Sequence, residues 1–151
     1  MPSFETTNFG TLTYVPESTV EFPQGLPGFD QRRHFVAVQL PDSRPLVFLQ
    51  SLEDPNLCFL TLPVLAVDPQ YQLHVSAEDR ALVGLASGPL RMGEDVLCLA
   101  VVALRESGPT ANLLAPVVVN LRNQKAVQAV AADSGYSHQH VLVPEEAPVC
   151  S

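Results

Sequence analysis

Fourteen prolines and eight glycines are spread so evenly through 151 residues that few uninterrupted windows could hold a helix of a dozen residues. Each proline removes an amide donor and blocks helix continuation, and each glycine weakens a regular element. What survives are short apolar runs separated by turn residues, the pattern of a mainly β protein. The runs expected to form strands are Thr11–Val15, Phe35–Leu40, Leu46–Ser51, Leu57–Leu62, Gln72–Val75, Val96–Leu104, Pro116–Leu121 and Ala126–Val130. Their spacing suits a barrel or a sandwich. The length fits one domain, placed at residues 1–142, with 143–151 expected as a frayed tail.

Within this frame, Phe35–Leu40 is apolar at both parities for much of its length, which implies burial on both faces. Val117 to Val130 reads as a hairpin turning at Arg122-Asn123-Gln124-Lys125. One helix is expected over 77–87. Ser76 and Asp79 have capping-box spacing, Glu78 and Asp79 favour the positive helix end, and Ala81, Leu82, Leu85 and Ala86 form an apolar face before Gly88-Pro89. Gly25-Leu26-Pro27-Gly28 reads as a tight turn, able to present Leu26 and Phe29.

Composition narrows the function classes. Hydrophobic residues make up 46% of the chain and charged ones 16%, enough apolar surface to offset chain entropy. The formal charge is −8, with three basic against eight acidic residues through Val75 and five against eight thereafter. Such a field repels phosphate, so direct nucleic-acid and anionic-membrane binding are disfavoured, whereas a basic protein partner would be attracted. The longest apolar run, Val96 to Leu104, is nine residues, against the roughly twenty of a spanning helix. The amino terminus lacks the basic-then-apolar pattern of a secretion signal, so a cytoplasmic location is expected. Cys58, Cys98 and Cys150 fit neither a disulfide framework nor a metal knuckle, and the first two lie in apolar runs that favour inert thiols.

Motifs for chemistry are sparse. Neither Gly-x-x-x-x-Gly-Lys nor Gly-x-Gly-x-x-Gly occurs, and Gly-x-Ser-x-Gly is absent. The carboxylate pairs Glu53-Asp54, Glu78-Asp79 and Glu94-Asp95 are sequence neighbours whose side chains diverge, unlike a positioned acid–base couple. The sharpest enzymatic alternative is a small cupin-like metal site. His138 and His140 would share one strand face with Glu145 beyond them, although the glycine such a motif needs six residues before the first histidine is Ala132.

Four segments taken in order resemble one family: Phe22-Pro23-Gln24-Gly25-Leu26-Pro27-Gly28-Phe29, Leu49-Gln50-Ser51, Asn112-Leu113-Leu114-Ala115-Pro116-Val117-Val118-Val119-Asn120, and Asp133-Ser134-x-Tyr136. Together they resemble the FliW family of flagellar assembly factors from about Phe9 to His140, with Asn112–Asn120 the most specific part. The resemblance implies a compact antiparallel β-barrel without catalytic activity or cofactor, monomeric when unbound. It also implies that such a protein binds and antagonises CsrA, a basic RNA-binding translational regulator, away from its RNA surface. Repression of flagellin synthesis would thereby be relieved, and flagellin itself would be the alternate partner.

Carried over residue by residue, the family match falls on Gln50, Ser51, Asn56 and Phe59, and on Asp68 and Tyr71 before the next run. These six are the expected partner face, with Asn56 offering an amide, Phe59 an aromatic anchor and Tyr71 area with a polar tip. Asn112 and Asn120 are expected to satisfy backbone groups where the chain bends around Ala115-Pro116. After Tyr136 the chain departs from the family ending, with Gln139-His140-Val141 where a basic residue and His-Pro are common.

Overall fold

The computed structural model describes residues 2–26, 28–29, 31–130 and 134–142. Strands β1 (Ser3–Thr6) and β2 (Gly10–Thr13) form a separate hairpin. The main sheet is built from β3 (Thr19–Glu21), β4 (His34–Val38), β5 (Val47–Ser51), β6 (Cys58–Pro63), β7 (Val96–Arg105), β8 (Gly108–Ala111), β9 (Val117–Asn120), β10 (Ala126–Gln128) and β11 (His140–Val141). A single turn α1 (Val64–Val67) follows β6, and α2 (Ala77–Val83) precedes β7. The strand order is β10-β9-β7-β6-β5-β4-β3, with β8 beside β7 and β11 beside β8, and every ladder is antiparallel.

This ladder does not close into the expected barrel. The strands at the two ends of the main order, β3 and β10, have three residues each and meet at one parallel bridge, Glu21 to Lys125. The Glu21 N–H donates to Gln124 O (2.9 Å), and Gln124 Nε2 donates to Thr19 O (2.9 Å), Pro16 O (3.2 Å) and Glu17 O. Gln124 reaches these acceptors from a left-handed backbone at φ 62°.

Alternation along β7 and β9 explains why their sequence is almost wholly apolar. Leu97, Leu99, Val101, Val117 and Val119 pack into one cluster with Phe22, Phe35 and Leu49. Val96, Cys98, Ala100 and Val118 point the other way and pack with Val64, Tyr71, Ala111 and Leu113. Strands buried on both faces cannot alternate polar with apolar residues. Each fully buried Leu, Val or Phe adds about 1.5–3 kcal/mol, so this two-sided burial is the main source of cohesion. β4 behaves as its sequence predicts over Phe35 and Val36, both buried.

The expected hairpin forms with Val119 opposite Ala126 and Val117 opposite Gln128. Ser76 caps α2, its Oγ accepting from Asp79 N at 3.1 Å. The helix stops at Gly84 rather than at Gly88-Pro89, because Gly84 takes the left-handed conformation (φ 77°) that ends a helix. Its buried residue is Val83 rather than the Ala81–Leu82 face. Gln72–Val75 is not a strand: Gln72 N–H bonds to the Tyr136 hydroxyl (2.9 Å), and Leu73 and Val75 pack on the second cluster. Short β1, β3, β8 and β11 were not predicted, having too few apolar residues to show a period. No helix among the described residues is long and apolar enough to cross a membrane.

Candidate partner-binding site

The six residues expected to share one face do not. Gln50 is wholly buried, and its Nε2 donates to Ser51 O (3.0 Å) and Leu57 O (3.1 Å), holding both ends of the β5–β6 loop. Its Oε1 is buried with no partner among the described residues. Ser51, also buried, accepts from Glu53 N (3.0 Å) and Asp54 N (2.9 Å) through Oγ. Tyr71 is buried, donates its hydroxyl to Leu113 O (2.7 Å) and stacks on Tyr136 with centroids 4.4 Å apart. Burial, with Cys98 and Tyr136 nearby, pushes that hydroxyl above the usual tyrosine range. These three therefore hold loops and core together, with side chains inside the molecule rather than at its surface.

Asp68 is half-buried and accepts from Gln70 N (2.9 Å), closing a turn after α1. Asn56 is exposed, its side-chain oxygen taken by the Thr7 hydroxyl. Phe59 is half-buried, edge-on to Phe29 (5.5 Å) and 5.9 Å from Phe35. Since Phe59 packs on the first cluster and Tyr71 in the second, β7 lies between them.

Phe59 instead belongs to a groove of about 220 Å³ on the first-cluster face. Its deepest lining is Leu26, Leu49 and Val117, all buried, with Phe59, Val101 and Ala103 half-buried above them. Phe29, 40% exposed, stands at the opening. The glycine-rich turn makes this possible: Phe29 N bonds to Leu26 O (2.7 Å), and Gly25 and Gly28 take φ of 71° and 84°. Leu26 thereby turns inward while Phe29 stays at the surface.

Polar groups complete the lining. Arg105, Thr110, Asn112, Gln128 and His138 all reach the groove. Asn112 Oδ1 accepts from Leu114 N (3.1 Å) and Ala115 N (2.9 Å), as its place before the bend predicts. Gln128 Nε2 donates to Ala115 O (2.9 Å). No bond or ion pair among the described residues occupies the side chains of Arg105, Thr110 or His138, so they face the groove as open polar groups. Phe29 is presented by the turn as its motif implies, and Asn112 satisfies the backbone of its segment as expected. Arg105 and Thr110 carry no local signal, because only the β7–β8 ladder brings them together.

The metal alternative loses its geometry. His138 precedes β11 in a turn, so it and His140 are not alternate residues of one strand. His138 lines the groove, whereas His140 pairs with Ala111, whose side chain packs in the second cluster. Glu145 and Cys150 lie outside the described residues, as do Pro27, Ala132 and Asp133. Among the described residues no group of three His, Cys, Asp or Glu could hold a metal ion. The carboxylate pairs serve local structure. Glu53 accepts from Arg33 N (2.6 Å) and His34 N (3.2 Å), and Asp95 accepts from Arg91 N (2.8 Å). Burial would raise the Glu53 pKa, but bonds from His34 and Arg33 outweigh it and hold the carboxyl below its ordinary value.

The antiparallel sheet thus carries on one face an apolar groove whose lining includes polar groups with no partner among the described residues. The model of the FliW protein family matches residues 3–142, and the chain belongs to that family. It is 34% identical over 143 residues to the flagellar assembly factor FliW of Heliobacterium modesticaldum, covering 95% of this chain and 92% of that protein. It is 33% identical over 145 residues to the Desulfitobacterium hafniense protein of the same name, covering 93% and 91%. A crystal structure of the flagellar assembly factor FliW superposes with a TM-score of 0.82 at 27% identity, covering 96% of this chain and 99% of that one.

Proposed function

We propose that this chain is a non-enzymatic regulatory protein of flagellum assembly that binds and antagonises CsrA, relieving repression of flagellin synthesis, and alternately binds flagellin. The observation that carries the reading is the family match over residues 3–142, together with relatives named flagellar assembly factors over more than nine-tenths of their length. The charge of −8 supports it, since an RNA-binding partner is basic and opposite charges accelerate encounter. The reading places the protein in the cytoplasm, monomeric until it meets a partner, and needs no cofactor. The partner face expected from the resemblance is Gln50, Ser51, Asn56, Phe59, Asp68 and Tyr71, of which Asn56, Phe59 and Asp68 have side chains that are exposed or half-buried.

Titration calorimetry against CsrA from the same organism, with and without flagellin and at two salt concentrations, tests this reading. Binding that flagellin abolishes and that salt slows in stopped-flow association is the expected result. Absence of heat with either protein, the fold intact by circular dichroism, overturns it.

A further inference from the structure

Two features of the groove say what fits it. Its depth is apolar, with Leu26, Leu49 and Val117 buried at the bottom and Phe29 and Phe59 edge-on above them. Its lining also carries hydrogen-bond donors with no partner among the described residues: the Arg105 guanidinium, the Thr110 hydroxyl and the Asn112 amide nitrogen. No carboxylate lines it among the described residues, in a chain carrying sixteen acidic residues against eight basic ones. The groove is thus locally opposite in character to the molecule's net charge. A backbone feature lies beside it. The β6–β7 ladder runs only from Pro63 opposite Leu99 to Thr61 opposite Val101, so Cys58–Leu60 and Val102–Arg105 are unpaired with one another. Phe59, Ala103 and Arg105, which line the groove, sit on these two stretches.

We propose that this groove docks an extended internal segment of a partner protein, with an aliphatic or aromatic side chain in the apolar depth and an adjacent Asp or Glu on Arg105. A guanidinium meets a carboxylate with two parallel hydrogen bonds, which a neutral or basic residue cannot supply. Thr110 and Asn112 lie where they can donate to the same carboxylate or to the segment's backbone. The inference rests on reading the chain as a partner-binding protein, but not on which partner docks there. It separates two kinds of attraction: the overall acidic field draws a basic partner, whereas the groove selects an acidic, apolar segment.

The test is a phage-displayed library of random heptapeptides selected on the full chain. The enriched sequence is then synthesised with an acetylated amino terminus and an amidated carboxyl terminus, and measured by fluorescence anisotropy. The expected result is enrichment of an aliphatic or aromatic residue beside Asp or Glu. Arg105→Glu should weaken the consensus peptide by about tenfold or more and shift selection towards Lys or Arg. Ala103→Trp, which fills the groove, should abolish binding; Arg105→Glu, on an exposed side chain with no partner among the described residues, guards against misreading a folding defect. Absence of enrichment overturns the proposal. So does a consensus that binds Arg105→Glu unchanged, or one that binds only with a free terminal carboxylate. Because neither CsrA nor flagellin is present, failure here leaves the calorimetric result standing, and failure there leaves the groove's peptide preference standing.

Discussion

At the scale of single residues, the family-like positions divide by what their polar atoms touch. Tyr71 resembles an interface tyrosine in sequence, yet its hydroxyl ends on Leu113 O inside the second cluster. Tyr71→Phe leaves that carbonyl without its donor, and urea denaturation should show a loss of about 1–2 kcal/mol with the native fold kept. An unchanged midpoint would mean that the bond contributes nothing net. Phe29 and Phe59 form the contrasting pair. Phe29→Ala should preserve stability within about 0.5–1 kcal/mol while weakening partner binding by about 1–2 kcal/mol. Phe59→Ala should cost about 3 kcal/mol of stability, since the ring also packs near Phe35. A stable Phe29→Ala protein with undiminished affinity for both partners would remove the groove from partner contact.

At the scale of elements, the helix α2 is held at both ends by side chains that the sequence partly announces. Ser76 was legible as its cap because capping is local. Its end was not, because Gly84 lacks a proline beside it and Asn120 and Asn123, which both donate to Val83 O (2.9 and 3.0 Å), are remote in the chain. Gly84→Ala should lose about 1–2 kcal/mol, because an L side chain is strained at φ 77° and the added Cβ would meet Asn123 Nδ2 at 3.0 Å. A thermal melt indistinguishable from wild type would refute this account of the helix end. The same division runs through the sheet. β5, β6, β7 and the β9–β10 hairpin were readable because long apolar runs encode two-sided burial. β3, β8 and β11 were not, since two to four residues carry no period and owe their pairing to neighbours. The groove was half legible for this reason: Phe29 and Asn112 sit in recognisable segments, but Arg105 and Thr110 meet only across the β7–β8 ladder.

At the scale of the whole molecule, two-sided burial of β7 gives a titration signature. Cys98 is buried in the second cluster, and burial pushes its thiol up to about 12. The folded state holds the neutral thiol while the unfolded chain ionises it near the ordinary cysteine value. The contribution of Cys98 is thus complete below pH 9 or so and is lost progressively towards pH 12. Unfolding free energies measured by urea across this range should fall with pH, and Cys98→Ala should flatten the part due to this thiol. Equal slopes in the two proteins would show that other groups dominate.

The seam at Glu21 and Lys125 bears on how the molecule behaves among its own copies. An open antiparallel sheet presents two rows of unpaired amides and carbonyls, and such rows are templates on which identical chains add strand by strand. Here the outer strands are kept short, three residues in β3 and β10 and two in β11, and Gln124 already occupies carbonyls along the approach to β3. Short outer strands and carbonyls already taken by a side chain leave little template for a second copy to add to, so the sheet is protected from stacking onto itself.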